Sequence, residues 1–114
     1  MNLFLDDLKD PVWYDFDNVV IVRTFKQAVR YVKTKNEPIE TLYLDHDLGG
    51  EKTGYDFLTL LVEDLKIIPK EVVIISFNFV GSKRIQSLCE QYDIFCKRAT
   101  INMTKVTIIG GQSG

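Results

Sequence analysis

Five short runs of the sequence are apolar almost throughout, and they constrain the fold more than any other feature. These runs are NLFLDD from Asn2, NVVIVRT from Asn18, TLYLDHD from Thr41, EVVIISF from Glu71 and IFCKRAT from Ile94. A strand with one face in water alternates apolar and polar residues, whereas continuous stretches such as VVIV and VVII suit strands that are covered on both faces. The runs therefore predict a parallel sheet between layers of helices.

Amphipathic segments separate several of these runs. Two segments carry apolar residues at helical spacing: Phe25, Ala28, Val29 and Val32 in the first, and Leu58, Leu61, Val62 and Leu65 in the second. Thr24 is placed to cap the first helix, and Thr53 or Gly54 opens the second. A third helix is predicted from Ser82 to about Tyr92.

The segment between the first two strands, LKDPVWYDFDN, contains too many turn-forming residues to predict a crossover helix. We expect Trp13, Tyr14 and Phe16 to cover one side of the sheet there. The result is an incomplete doubly wound α/β sheet in one domain, residues 1–99. Residues 100–114 contain a strand-like KVTII followed by GGQSG, and there we expect an extra strand and a disordered tail.

Composition excludes several classes of partner. The chain has 114 residues, of which 46% are hydrophobic, which suffices for one compact domain. Its 14 basic and 16 acidic residues nearly balance, so we expect neither long duplex nucleic acid nor a membrane surface as a partner, while a small phosphorylated ligand stays open. No apolar stretch approaches the roughly 20 residues that cross a bilayer. We therefore expect a cytoplasmic protein in which Cys89 and Cys96 are free thiols.

Two acidic clusters follow apolar runs. Asp6 and Asp7 end the first run, and Asp45 and Asp47 end the third. Neighbouring parallel strands would bring these carboxylates together. Carboxylates at such short distances repel one another unless a cation or a shared proton lies between them. The pattern predicts a site for a hard metal ion.

Other polar residues occupy the same ends of the predicted strands. Ser76 and Asn78 follow the fourth run, Lys97 lies late in the fifth, and Arg23 ends the second. Ligands of open parallel sheets bind beyond the carboxyl ends of the strands. Ser76 and Asn78 can donate to phosphate oxygens, and the Arg23 guanidinium either binds phosphate by two parallel hydrogen bonds or neutralises Asp6.

His46 and Asp47 each allow two interpretations. His46 is a candidate acid or base, because its unperturbed pKa of about 6.5 lies near neutrality. Strand alternation, however, would point its ring away from Asp45 and Asp47, and a packed histidine is then the alternative. Asp47 either contributes to metal or phosphate binding or caps the turn that follows it.

The predicted third helix begins with features that suit an anion. Gly81 precedes a helix start, whose exposed backbone amides attract negative charge. Lys83 and Arg84 follow, and basic residues at that end of a helix oppose its dipole. A nearby anionic ligand would offset the cost, whereas a solvated surface pair is the alternative for both side chains.

Taken together, these motifs resemble the receiver domains of two-component signalling over most residues up to about Ala99. The chain is more closely similar to the cyclic-phosphate processing receiver family. The motifs that carry this similarity are LDD ending at Asp7, VRT at Val22 to Thr24, LDHDLG at Leu44 to Gly49, TGYD at Thr53 to Asp56, and SFNFVG at Ser76 to Gly81. The resemblance implies a receiver/flavodoxin-like fold: a five-stranded parallel sheet of order 2-1-3-4-5, with the first crossover helix shortened or lost.

The resemblance also implies a site and an activity. Asp6, Asp7 and Asp45 would hold Mg²⁺ or Mn²⁺, and Asp45 stands where a receiver accepts a phosphoryl group. The substrates implied are cyclic phosphates, namely 2′,3′-cyclic phosphate ends of RNA in repair settings, or cyclic nucleotides. Asp45, His46, Ser76 and Lys97 are the candidate catalytic residues.

Two departures from ordinary receivers count against a phosphorylation switch that relies on the usual parts, and other functions are also open. The first crossover helix is replaced by a loop, and Lys97 is followed by Arg98 rather than by proline. One alternative to a metal-dependent hydrolase or phosphotransferase is a phosphoacceptor or pseudo-receiver that binds a protein partner. Another is a protein that sequesters a nucleotide without cleaving it.

Overall fold

In residues 1–99, which the computed structural model describes, five parallel strands form a single sheet. The strands are β1 (Asn2–Leu5), β2 (Val20–Val22), β3 (Thr41–Leu44), β4 (Glu71–Ile74) and β5 (Phe95–Arg98). Their order across the sheet is β2-β1-β3-β4-β5, and every neighbouring pair is parallel. The predicted receiver/flavodoxin-like α/β fold is confirmed.

Three helices pack on one face of this sheet. They are α1 (Phe25–Lys35), α2 (Gly54–Thr59), which continues into a π-helical turn (Leu60–Asp64), and α3 (Phe79–Gln91). The first two begin where the sequence predicts. The Thr24 hydroxyl accepts a hydrogen bond from the amide of Gln27, and Thr53 forms a reciprocal capping box with Asp56.

Helix α3 begins three residues before the predicted Ser82. Asn78 is its N-cap, and the Asn78 side chain accepts a hydrogen bond from the amide of Gly81 at 2.9 Å. This cap satisfies one of the amide groups that a helix start leaves without a partner, and it allows Phe79 to enter the first turn. The predicted start at Ser82 was wrong, because the helix is capped at Asn78, a position for which a helix-entry role was one of the interpretations.

The connection from β1 to β2 contains a short 3₁₀ turn, Pro11–Tyr14, in place of a crossover helix. Its aromatic residues lie on the sheet face opposite the three helices, as predicted. The Tyr14 ring stacks on Phe16 with centroids 5.2 Å apart, and its hydroxyl donates to the carbonyl of Ile75 at 3.2 Å. Phe4 and Val73 are buried beneath them.

Strands β1 and β4 are buried on both sides of the sheet, which explains their continuous apolar character. The expectation that VVIV is covered on both faces was wrong, because β2 lies at the edge of the sheet and Ile21 is 42% exposed. Leu3 and Leu5 belong to the main core with the helices, whereas Phe4 between them belongs to the aromatic cluster. Cys89 packs in the main core against Cys96, and both are free thiols. Among the described helices, none is both long and apolar enough to cross a membrane. The strand and tail predicted for 100–114 lie outside the described residues.

Candidate metal and phosphate site

The acidic clusters meet at the carboxyl edge of the sheet because β1 and β3 are neighbours in register. Leu5 pairs with Leu44, so that Asp6 and Asp45 are the first residues beyond the two strands. The Asp45 amide still donates to the carbonyl of Leu5 at 3.0 Å. The two carboxyl groups are thereby placed side by side.

The carboxylates of Asp6, Asp7 and Asp45 form an acidic triad, in which one oxygen of each lies within 4.8 Å of the others. Asp6 is fully buried and Asp45 is 5% exposed. Oδ1 of Asp6 accepts hydrogen bonds from the amides of Leu8 and Lys9, each at 2.9 Å. Oδ2 of Asp6 is buried and receives no hydrogen bond within the described chain. The partner of this oxygen in the structure is an ammonium, that of Lys9, at 3.0 Å.

Lys9 is the cation of this site, and sequence reasoning missed it. Its ammonium lies 3.0 Å from Oδ2 of Asp6 and 3.4 Å from Oδ2 of Asp45. The loop after β1 turns back over Asp6, whose Oδ1 holds the amide of Lys9, and this turn returns the side chain to the triad. The signal in the sequence was the short spacing in LDDLK, since an aspartate commonly bonds to backbone amides two or three residues on.

Lys97, the predicted catalytic lysine, is not brought to the triad. Its ammonium lies 3.5 Å from Oε2 of Glu71, the first residue of β4. Lys97 pairs with Val73 in the sheet, one residue short of the strand end, and its side chain extends toward the amino end of β4. The site lies at the opposite edge.

Burial controls the protonation of Asp45. It raises the pKa of this carboxyl to about 6, with a further contribution from the negative charge of Asp6. The ammonium of Lys9 and the amide of His46, which donates to Oδ1 of Asp45 at 2.9 Å, act in the opposite direction. Burial also raises the pKa of Tyr14, helped by the charges of Asp6 and Asp45. The negative charge of the triad is therefore only partly compensated by the ammonium of Lys9.

Asp47 lies beside the triad on the exposed side. Its Oδ1 is 3.0 Å from Nδ1 of His46, and the side-chain amide of Asn78 donates to both of its carboxylate oxygens, at 3.3 and 3.2 Å. The hydrogen bond with His46, and after it the one with Asn78, lowers the pKa of Asp47 against the effect of burial. The expectation that His46 would point away from Asp47 was wrong, because β3 ends at Leu44 and strand alternation ends with it.

His46 is a packed histidine in this arrangement. It is 7% exposed, and its Nε2 has no hydrogen-bond partner among the described residues. The ring lies against Gly81 in the first turn of α3, so close that a Cβ at position 81 would stand 2.3 Å from Cγ of His46. Gly81 therefore allows α3 to dock on His46, a role that the sequence interpretation of Gly81 as an anion site did not include.

Ser76 and Asn78 fix the loop between β4 and α3. The buried Ser76 hydroxyl accepts a hydrogen bond from the amide of Asn78 at 2.9 Å, and the Ser76 carbonyl accepts one from Arg98 at 3.1 Å. Phe77 lies between these two residues, and it is 74% exposed. The loop is held by its polar residues, while its aromatic side chain faces outward.

Arg23 acts on the loop after β1. Its Nη1 donates to the carbonyl of Asp6 at 3.1 Å and to the carbonyl of Lys9. The guanidinium thus contacts the backbone of Asp6, whereas the sequence interpretation had it either binding phosphate or neutralising the carboxylate. It fastens the segment that carries the acidic triad and Lys9.

Lys83 and Arg84 lie away from the triad on the outer side of α3. The Lys83 ammonium is 5.3 Å from the ring centroid of Phe79, and the Arg84 guanidinium is 4.2 Å from that of Tyr55. Both line a separate groove along α3. The structure therefore does not bring these two predicted phosphate ligands to the acidic residues.

One cavity of about 370 Å³ opens onto the triad, and we call it the acidic pocket. Its lining residues are Asp7, Leu8, Lys9, Asp45, Asp47, Gly49, Phe77 and Asn78. Gly49 has a positive φ of 77°, which favours glycine, and a Cβ there would stand 3.0 Å from Oδ2 of Asp7. The loop after β3 therefore closes one wall of the pocket directly against Asp7.

A family model described as the cyclic-phosphate processing receiver domain matches residues 1–91. The chain belongs to this family. Neither a curated protein nor a solved structure was found to match it. The matched span of this receiver domain includes every residue that lines the acidic pocket, and it ends at the last residue of α3, before Lys97.

The acidic pocket of this receiver domain fits a hard divalent cation. Receiver domains typically bind Mg²⁺ through an acidic cluster, and carboxylate oxygens are the ligands that Mg²⁺ prefers. Asp6, Asp7 and Asp45 each offer one carboxylate oxygen within 4.8 Å of the other two, and Oδ2 of Asp6 is buried beside the Lys9 ammonium. Lys9 supplies a single positive charge to these three carboxylates, which leaves a net negative site.

Proposed function

We propose that this receiver domain processes cyclic phosphates in a metal-dependent reaction, with 2′,3′-cyclic phosphate ends of RNA or cyclic nucleotides as substrates. Membership of the cyclic-phosphate processing family supports the substrate class. The observation that carries the proposal is the acidic triad, three carboxylate oxygens within 4.8 Å of one another, beside the ammonium of Lys9.

In this proposal Asp6, Asp7 and Asp45 hold Mg²⁺ or Mn²⁺. Such an ion, when bound, offsets charge on the non-bridging phosphate oxygens and lowers the pKa of a bound water. Asp6 is suited to a fixed ligand role, because its buried side chain is held by two backbone amides. Asp7 faces the pocket from the same loop, and Asp45 faces it from the neighbouring strand end.

Lys9 takes the part that the sequence interpretation gave to Lys97. Its ammonium lies at the triad and lines the acidic pocket, so it can donate to a phosphate oxygen. A lysine side chain is a flexible point charge, which allows the ammonium to move from carboxylate to phosphate as the ligand enters. Asn78 also lines the pocket and offers an amide donor.

Opening a cyclic phosphate consumes one water. A bond forms between the water oxygen and phosphorus, one ring P–O bond breaks, and the products are a phosphomonoester and a free hydroxyl. The water must lose a proton and the departing oxygen must gain one. The Lys9 ammonium is the group at the triad suited to protonate the departing oxygen, and a divalent ion, when bound, would ease the loss of the water's proton to solvent.

The remaining predicted site residues act as positioning residues in this proposal. The Ser76 hydroxyl accepts a hydrogen bond from the backbone amide of Asn78, and Nδ1 of His46 contacts Oδ1 of Asp47. Arg23 fastens the loop of Asp6 and Lys9 by bonds to their carbonyls. Their substitution should shift the loops that surround the pocket without removing a group that touches the phosphate.

The test is turnover with and without metal. Oligonucleotides with a 2′,3′-cyclic phosphate, and cyclic di- and trinucleotides, are incubated with the protein and Mg²⁺, Mn²⁺ or EDTA, and the products are separated by chromatography. We expect metal-dependent ring opening that Asp45→Asn abolishes. The matched control is Asp64→Asn, because Asp64 carries an exposed carboxylate at the end of the π-helical turn. This variant should retain activity. Metal-independent turnover, or full activity of Asp45→Asn, would refute the proposal.

A phosphoacceptor role is the second candidate. The position of Asp45 at the end of β3, with an ammonium 3.4 Å from its carboxylate, favours a phosphorylated aspartate stabilised by Lys9. Acyl phosphate at Asp45 after incubation with small phosphodonors, without any turnover of cyclic phosphates, would select this function. Stoichiometric capture of an intact nucleotide would indicate sequestration instead.

A further inference from the structure

Phe77 presents a large apolar ring to solvent beside the most highly charged part of the molecule. The side chain is 74% exposed, yet it lines the acidic pocket together with Asp45 and Lys9. Leu8, another lining residue, is 79% exposed. Covering such surfaces is favourable in proportion to the apolar area removed from water. A phosphate group alone cannot cover them, because it is small and fully polar.

The exposure of Phe77 does not come from a loosely attached loop. The residues on either side of it are tied down: the Ser76 hydroxyl holds the amide of Asn78, and the Asn78 side chain caps α3 and donates to Asp47. The ring is therefore presented on a fixed backbone. A rigid aromatic side chain loses little conformational entropy when a ligand packs on it.

The ring is also linked directly to the charged centre. The Lys9 ammonium lies 4.9 Å from the centroid of the Phe77 ring, within the range of a cation–π contact. The same ammonium contacts Asp6 and Asp45. A ligand whose phosphate reaches Lys9 therefore carries its adjoining group toward the face of Phe77.

We propose that Phe77 is a nucleobase-stacking subsite, and that the ligand of the acidic pocket is a nucleoside whose ribose phosphate lies at the triad while its base stacks on Phe77 and packs against Leu8. The inference rests on the proposed function, because the phosphate must be held by the acidic pocket. Stacking depends little on which base is present, since every base has a π-face. The subsite thus selects nucleotides over base-free phosphate esters, with little preference among bases.

The test measures binding in the presence of Mg²⁺ by calorimetry, with adenosine 3′-phosphate as the probe. This compound carries the base and the phosphate but no cyclic ester to cleave. Its base-free counterpart is 1-deoxyribose 3-phosphate. The wild type should bind the nucleotide about 5- to 150-fold more tightly than the base-free ester, which is the range that base–aromatic stacking gives.

Phe77→Ala should lose this difference while its affinity for the base-free ester stays unchanged, and Phe77→Trp should retain it. Phe79→Ala is the matched control, because Phe79 is also exposed, at 62%, and does not line the pocket. It should bind both ligands as the wild type does. A trinucleotide that ends in a 3′-phosphate distinguishes the two sources of this chemistry, since tighter binding than the mononucleotide would indicate an RNA end.

Two outcomes would overturn the subsite. If Phe77→Ala binds adenosine 3′-phosphate as tightly as the wild type does, the base does not stack on Phe77, and the proposed function still stands. If the wild type binds neither ligand in the presence of Mg²⁺, the subsite fails, and the turnover assay alone decides the proposed function. Circular dichroism of each variant separates these results from unfolding.

Discussion

At the scale of single residues, Asp45 combines burial with a negative charge that its surroundings do not fully compensate. Its pKa is raised from 3.8 to about 6, so the folded protein holds a proton that the unfolded chain has released between these pH values. Stability contributed at this position is therefore present below about pH 4 and is lost as the pH rises through 6. The buried charge that suits Asp45 to the proposed cation site is in this way a source of instability.

Replacing this carboxylate should stabilise the protein in the absence of metal. We expect Asp45→Asn to raise the free energy of unfolding at pH 8 in EDTA by roughly 1–3 kcal/mol, because the amide resembles the protonated acid. The gain should vanish near pH 4. Urea denaturation at both pH values measures it, and the exposed Asp64→Asn serves as control. Equal stability of the wild type and Asp45→Asn at pH 8 would contradict the raised pKa.

In the proposed site, Lys9 and a divalent cation would share the same oxygens. Because its ammonium faces both Asp6 and Asp45, its removal leaves the triad more negative. We expect Lys9→Met to bind Mg²⁺ about tenfold more tightly, as one partly buried unit charge suggests, while turnover of cyclic phosphates falls. Lys97→Met should leave both quantities unchanged. Calorimetric Mg²⁺ titrations of the two variants decide whether Lys9 or Lys97 belongs to the site, and equal behaviour would contradict the assignment.

At the scale of elements, the docking of α3 depends on a contact between its first turn and the loop after β3. Gly81 lies against the ring of His46, and a Cβ at that position would stand 2.3 Å from Cγ of His46. Asn78 fixes the start of the helix and contacts Asp47 from the same place. Helix α3 and the exposed wall of the pocket are thus positioned by one set of side chains.

This contact predicts the effect of adding a methyl group. Gly81→Ala should destabilise the protein by about 1–3 kcal/mol, because the close-packed ring must shift, even though alanine is the better helix former. Combining it with His46→Ala should cost less than the sum of the single changes. Gly50→Ala, where a Cβ meets nothing within 4 Å, is the control. Thermal unfolding provides the comparison, and additive effects would exclude the proposed clash.

At the scale of the whole molecule, the sequence predicted the sheet and the position of the triad, because both follow from strand order. The apolar run VVII of β4 is buried on both faces, and Asp6 and Asp45 extend neighbouring strands. Strand order could not predict that Lys9, and not Lys97, lies at the triad. The position of Lys9 depends on a turn that the side chain of Asp6 stabilises after the strand has ended, where periodicity carries no information.

Cation binding should stabilise the whole domain. A ligand that binds only the folded state at a hundred times its Kd adds about 2.7 kcal/mol. The melting temperature of the wild type should therefore rise with Mg²⁺ concentration, whereas that of Asp45→Asn should start higher and stay constant. Differential scanning calorimetry across a Mg²⁺ series measures both. An identical rise in the variant would place the cation elsewhere.

The aromatic loop between β1 and β2 provides a natural optical reporter. It carries Trp13, the single tryptophan of the chain, four residues after Lys9 and packed against the cluster that contains Tyr14. Because Lys9 and Trp13 lie in the same connection between β1 and β2, we expect displacement of the Lys9 ammonium by a cation or a phosphate to change the surroundings of the indole. Intrinsic emission can then follow occupancy of the pocket in real time, without a label and in the unmodified protein.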